Sequence, residues 1–256
     1  MLKFQGFKIS SRSKIIQKSI MLKKVINIFK ALYRGKLIYF KRLNISKRWI
    51  GNDYGGFYIH PNYINSNSII YSIGIGEDIS FDLDIIEKFH CNVYGFDTTP
   101  RSVDFVEKGN APSKFIFNSI GVADSSGVRE FFLPINESHV SGSLLKTPIV
   151  SDDHKVLLKF KTLDDIMKSF KHVHIDILKI DIEGFEYLLI DYLFTNNIKI
   201  NQLLIEFHPD LVEKGKSLTK ESILKLNSLG LECFAVSDSF SEFSFINTKI
   251  TANENS

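Results

Sequence analysis

Ile69–Asp82, IIYSIGIGEDISFD, decides the fold, because it reads as a buried strand, a glycine turn and a helix start in one run. Ile69, Ile70, Tyr71 and Ile73 form a short apolar, β-rich segment of the kind found in parallel strands covered on both faces. Gly74 and Gly76 follow, where a tight turn needs positive φ or another group comes close to the backbone. Ser80 or Asp78 can cap the next helix, and a helix start with exposed amides attracts anionic or electron-rich groups. Asn92–Asp97, NVYGFD, reads as a second strand ending in an acid, 23 residues after Gly74. An acid at that place can accept hydrogen bonds from both hydroxyls of a ribose. Turn and acid together point to a nucleoside-containing cofactor; the alternative is a plain strand-to-helix turn with an exposed Asp97.

The rest of the chain repeats the pattern. Strands expected at 69–75, 92–97, 114–118, 175–182 and 202–207 alternate with helices expected at 79–89, 100–108, 163–170, 184–194 and 219–229. Such alternation implies βαβ units and a parallel sheet with right-handed crossovers. A closing pair, 231–236 and 243–247, ends it. Between Gly121 and Asp164 the rhythm breaks: Val128–Leu133 and Val156–Phe160 read as strands around a polar loop, Pro134–Asp153, that carries His139 and Ser141. Long polar loops in compact domains are often functional. Arg48–Pro61, rich in glycine and aromatics, reads as a cover over the first strand or as a border of the cofactor pocket through Asp53 and Tyr54.

Composition bounds the class. A chain of 256 residues with 44% hydrophobic residues forms one large domain, or a domain with an appendage, and is not disordered. Cys91 and Cys233 show no metal spacing and read as buried thiols of a reducing compartment. No run approaches the ~20 apolar residues that cross a bilayer, and no signal peptide is recognisable, so a cytoplasmic location is expected. Fourteen of the 32 basic residues and none of the 29 acidic ones lie in residues 1–48, which leaves a body of formal charge −11. Within that segment Ser13–Arg34 reads as an amphipathic helix, with Ile15, Leu22, Val25, Ile26, Phe29, Leu32 and Tyr33 on one face and Lys23, Lys24, Lys30 and Arg34 on the other. It can pack on the body or lie on an anionic membrane surface. No nucleic-acid reading module accompanies the charge, so no nucleic-acid partner is expected.

The second informative stretch is Leu178–Glu186, LKIDIEGFE, an apolar strand ending at Asp181. In open α/β sheets ligands bind at the carboxyl edge of the strands, so Asp181 is expected to face the crevice that holds Gly74. The next strand ends in Glu206, Phe207 and His208. Glu183 and Glu186 can simply favour a helix amino terminus. Asp181, His139 and His208 are the candidate bases for a hydroxyl acceptor. A divalent metal on Asp181 and Glu206 is conceivable, but spacing identifies no ligand set and no metal is assigned. A dinucleotide oxidoreductase is the competing reading; Gly74-Ile-Gly76-Glu-Asp-Ile79 lacks the third glycine of its fingerprint, and Glu77–Asp78 suits a pyrophosphate poorly.

YSIGIGEDISFD, FDTTP, ESHVSGSL, KIDIEGFE and IEFH, in that order, resemble the FkbM family of S-adenosylmethionine-dependent methyltransferases between Trp49 and Asn247. The resemblance implies an α/β, Rossmann-like class I methyltransferase fold, mostly parallel with an antiparallel last strand. It implies that Gly74, Gly76 and Glu77 contact the methionine part of S-adenosyl-L-methionine and that Asp97 binds its ribose. Ala123 and Asp124, within Gly121–Asp124, are then expected beside adenine, and Asp181 near the cofactor's amino-acid end. Family members are linked to O-methylation, so a sugar, glycan or natural-product acceptor is expected. The expected organisation is a helical extension over 1–48, a methyltransferase domain over 49–250 and a frayed tail over 251–256. The alternative without catalysis is a nucleoside-binding scaffold recruited to a membrane.

Overall fold

The computed structural model describes residues 22, 25–27, 29, 42–136 and 141–251. The body opens with an antiparallel hairpin, β1 (Arg48–Ile50) and β2 (Phe57–Ile59). Then come β3 (Ile69–Ile73), α1 (Ser80–Phe89), β4 (Asn92–Phe96), α2 (Pro100–Lys108) and β5 (Phe115–Asn118). The broken region forms β6 (Gly121–Val122), β7 (Gly127–Pro134) and β8 (Val150–Lys161). Regular alternation returns with α3 (Leu163–Phe170), β9 (Ile175–Ile180), α4 (Glu186–Asn196), β10 (Ile200–Glu206) and α5 (Gly215–Ser228). The chain closes with β11 (Leu231–Val236), β12 (Glu242–Asn247) and the short α6 (Thr248–Thr251).

Seven strands form the central sheet in the order β5-β4-β3-β9-β10-β12-β11. β12 runs antiparallel to both β10 and β11, and the pairs from β5 to β10 are parallel. This is the mostly parallel sheet with an antiparallel last strand. An all-parallel dinucleotide sheet has no such inserted strand. Local chemistry sets the boundaries: Pro100 starts α2 at a position that needs no amide donor, and Thr162 caps α3 by accepting from Asp165 N at 3.2 Å. β3 stops at Ile73, two residues short of expectation, because Gly74 turns the chain at φ +78°.

Both faces of the sheet are covered, as the apolar runs predict. Tyr71 and Ile73, with Leu178, Ile180, Leu203 and Ile205, belong to one core; Ile70, Ile177 and Leu204 belong to the other. Alternate residues of each strand thus feed opposite cores. The broken region is a separate three-stranded sheet, β6-β8-β7, whose Val122, Phe131 and Phe160 join the first core. Its hairpin is longer than the sequence predicts, because β8 begins at Val150 rather than at Val156. Cys91 and Cys233 are buried free thiols.

At the described positions of the amino-terminal segment, Leu22, Val25, Ile26 and Phe29 are helical and exposed. The remaining residues of the helix expected over 13–34, and nearly all of the tail after Thr251, lie outside the described residues. Among the described residues no helix is long and apolar enough to cross a membrane.

One carboxyl is fully inside. Asp82 on α1 has no exposed surface and lies near Lys179 of β9, whose Nζ donates to Gly74 O at 3.4 Å. Burial pushes Asp82 up to about 6, and the Lys179 charge offsets only part of that effect. An aspartate in the unfolded chain titrates near about 3.9. Between these values the folded state holds the proton more tightly, so the stabilising contribution is complete below pH 4 and lost as pH rises through 6. The difference corresponds to about 3 kcal/mol. Asp82→Asn should therefore gain stability relative to the parent as pH rises from 4 to 7 in urea unfolding. Parallel profiles for the two proteins would contradict this.

Candidate active site

Gly74 joins the two informative stretches. Its N–H donates to Phe96 O at 3.0 Å, while Asp181 N donates to Ile73 O at 3.0 Å. A Cβ on Gly74 would stand 1.7 Å from Asp181 O, so contact as well as φ requires glycine here. The turn then wraps around Asp97. Asp97 Oδ2 accepts from Ile75 N and Gly76 N at 3.0 Å each, and its Oδ1 accepts from Thr99 N and Thr99 Oγ1 at 2.8 Å each. At the start of α1, Asp78 accepts from Ser80 N at 2.7 Å and from Asn52 Nδ2 at 2.7 Å. Three of the amides expected for an anion, those of Ile75, Gly76 and Ser80, are therefore taken by two carboxylates. Glu77 is gripped by Arg101, whose Nη2 lies 2.9 Å from both carboxylate oxygens.

A cavity of about 390 Å³ opens over the carboxyl edge of the sheet, within the size range of small-molecule sites. Gly74–Asp78 and Asp97–Thr99 line one part and Asp181, Glu183, Glu206 and His208 another; Asp53 and Tyr54 border it as the pocket reading predicts. On the side expected for adenine the wall is Gly121 and Val122. Ala123 is wholly buried and grouped with the first core, Asp124 is ion-paired with Arg129 at 2.6 Å, and the residues lining the cavity do not include either. Ser141 and Gly142 also line it; His139 lies outside the described residues.

The acidic part is built on adjacent strand ends. β9 and β10 pair with Ile180 opposite Ile205, which sets Asp181 and Glu206 side by side at the edge. His208 follows two residues later and is 8% exposed. Its Nε2 lies 3.8 Å from Asp181 Oδ1, 3.5 Å from Glu183 Oε2 and 3.7 Å from Glu206 Oε1. Behind it, the fully buried Glu186 accepts from His208 N at 2.8 Å and from Gly184 N at 2.7 Å, and its Oε1 is 3.4 Å from His208 Nδ1. Glu186 is thus a structural carboxylate that ties the backbone at Gly184 and His208 together, beyond favouring its helix start.

Electrostatics follow from this crowding. Burial alone would lower the His208 pKa, but Glu186, Glu206 and Asp181 outweigh it and raise it to about 10. At neutral pH that favours the imidazolium, the form that donates. Burial raises Glu183, and the His208 charge counters that. The Tyr54 phenol is held above its usual range by desolvation and then by Asp181, Glu206 and Glu183.

Some lining residues are not among the site residues that the sequence suggests. Glu183 reaches the cluster because its backbone adopts φ +49°, a conformation invisible in IEGFE. Ser239 and Ser241 come from the turn between β11 and β12, and Glu242 from the first position of β12, in a stretch that reads only as a closing pair.

The sequence profile of the Methyltransferase FkbM domain matches residues 48–233. No curated protein matches the chain significantly. Among solved structures, the chain is similar to methyltransferase FkbM from Methylobacillus flagellatus KT, with 12% identity, a TM-score of 0.46, and coverage of 74% of this chain and 46% of that one. The chain therefore spans about half the length of that protein. It is also similar to the Methanococcus jannaschii fibrillarin pre-rRNA processing protein, at 14% identity and TM-score 0.40, over 71% of this chain and 67% of the other. Aeropyrum pernix fibrillarin, solved with natively bound S-adenosyl-L-methionine, matches at 12% identity and TM-score 0.39, over 83% and 86%. With the profile spanning well over half of the sequence, the chain belongs to the FkbM methyltransferase domain family.

Proposed function

We propose that the chain is an S-adenosylmethionine-dependent methyltransferase that methylates a hydroxyl of a sugar, glycan or natural-product acceptor. The observation that carries this reading is that the Asp97-bound glycine turn and the Asp181–Glu206 edge line one cavity, so cofactor and acceptor can meet there. The chemistry of the lining fits the cofactor. Its acids suit a sulfonium and an amine, while the amides a pyrophosphate would need already serve Asp97 and Asp78. That occupancy favours this reading over a dinucleotide oxidoreductase.

When bound, the cofactor supplies an electrophilic methyl group for in-line displacement. The residues' work is alignment and exclusion of water. Gly74, Gly76 and Glu77 border the methionine part, and Asp97 takes the ribose. Of the four donors on Asp97, the Thr99 hydroxyl is the one that can rotate away, which frees Oδ1 for a ribose hydroxyl. Asp181 stands where a base or an amine partner is needed, and His139 is the base candidate of the insertion by sequence alone.

The test is transfer of labelled methyl from S-adenosylmethionine to a panel of sugar and polyketide hydroxyls, with Asp97→Asn alongside. Product is expected from the parent, and loss of cofactor affinity of tenfold or more from the variant. The variant should also melt earlier without ligand, because Asp97 holds the turn; hydrogen bonds to a charged group are each worth about 1.5–3 kcal/mol. Parental affinity in the variant would contradict the ribose role, and unchanged melting the turn role.

We also propose that the amino-terminal helix contacts an anionic membrane, supported by the exposed Leu22, Val25, Ile26 and Phe29 in a segment rich in lysine. Deletion of residues 1–48 should abolish co-sedimentation with phosphatidylserine vesicles; equal sedimentation would contradict it.

A further inference from the structure

We propose that Asp181, Glu206 and His208 form a site for a divalent cation of the Mg²⁺ or Mn²⁺ class, at the acceptor side of the cavity. One ligand atom from each of the three lies within 4.8 Å of the others. Atoms that share a cation at about 2.1 Å stand roughly 3 Å apart, so a contraction of up to about 1.8 Å closes the set. Backbone register supplies the carboxylates: Asp181 and Glu206 each follow the paired Ile180 and Ile205 on neighbouring parallel strands.

The imidazole is the independent observation. His208 is more than nine-tenths buried, and its Nε2 faces Asp181, Glu183 and Glu206 at 3.5–3.8 Å, too far for a hydrogen bond to any of them. A cation between those carboxylates would give Nε2 the short bond that none of them supplies at these distances, while the buried ring nitrogen without a hydrogen-bond partner is Nδ1, on the Glu186 side. Glu186 completes the arrangement from behind. It is fully buried, fixed by His208 N and Gly184 N, and 3.4 Å from Nδ1. A carboxylate that accepts from the far ring nitrogen is the recurring support of a metal-ligating histidine, and Glu186 Oε1 at 3.4 Å needs to close by a few tenths of an ångström to accept from Nδ1. Ligation uses the neutral imidazole, so binding the cation releases the Nε2 proton. Two carboxylates and one imidazole make an oxygen-rich set suited to Mg²⁺ or Mn²⁺.

All three residues line the cavity, so the remaining positions of the cation face the space for a substrate. Resting on the methyltransferase reading, the cation would lower the pKa of an acceptor hydroxyl. The hydroxyl proton would pass to solvent, the oxygen would form the new O–CH₃ bond, and the C–S bond electrons would stay on sulfur as the thioether.

The test uses the full chain after dialysis against EDTA, titrated with Mn²⁺ and followed by the electron paramagnetic resonance signal of free Mn²⁺. One Mn²⁺ per chain is expected, with affinity at least tenfold weaker in Glu206→Gln and in Asp181→Asn. Melting curves of each variant without metal verify that it folds. No retention by the parent protein, or equal retention by both folded variants, would overturn the site. Retention of Mn²⁺ without methyl transfer to any acceptor would remove the methyltransferase reading and leave the site. Undiminished methyl transfer in EDTA, with no Mn²⁺ retained, would remove the site and leave that reading.

Discussion

The contact between Gly74 and the Asp181 carbonyl is the constraint on which the site depends. A methyl group at Gly74 would overlap the oxygen at 1.7 Å, so only a glycine lets the turn after β3 lie against the end of β9. Pairing of Ile73 with Ile180 brings the two ends level, and the amide of Asp181 closes on Ile73. Cofactor turn and acidic edge are therefore one piece of backbone, not two loops that find each other. Asp97 extends that piece to β4, because its carboxylate holds the amides of Ile75 and Gly76.

Negative charge is concentrated around this piece and handled by different means. Asp97 and Asp78 spend theirs on backbone amides. Glu77 is held in a bidentate grip by Arg101. Asp82 on α1 is wholly buried, which raises its pKa to about 6, and the nearby Lys179 charge partly offsets that effect. Asp181, Glu183 and Glu206 converge on one buried imidazole. The first groups build the turn; the last leave a concentrated field facing the cavity, where a positive centre is stabilised.

The sheet was legible because its information is local. Apolar runs such as Ile175–Ile180 and turn residues such as Gly74 are set within a few positions, and α2, α3 and β11 fall where periodicity predicts. The hairpin of β7 and β8 was underestimated because the polar stretch 150–155 pairs through its backbone, with little apolar alternation to announce it. Asp181, Glu206 and the glycine turn were legible as strand-end residues. What was hidden depends on bonds across the chain. Asp97 capturing the turn spans 21 and 22 residues, and Glu186 gripping His208 spans 22. Neither separation has a sequence signature. On the side expected for adenine, Ala123 is grouped with Phe160 in the first core, and Gly121 and Val122 line the cavity.

The central claim is that a cavity built on this turn takes S-adenosylmethionine, and isothermal titration with S-adenosylhomocysteine, with NAD in a parallel cell, tests it most directly. Saturable binding of one S-adenosylhomocysteine per chain and no heat from NAD is the predicted result. Saturable binding of NAD without S-adenosylhomocysteine would contradict the account, because the amides held by Asp97 and Asp78 would then have to release both carboxylates to receive a pyrophosphate.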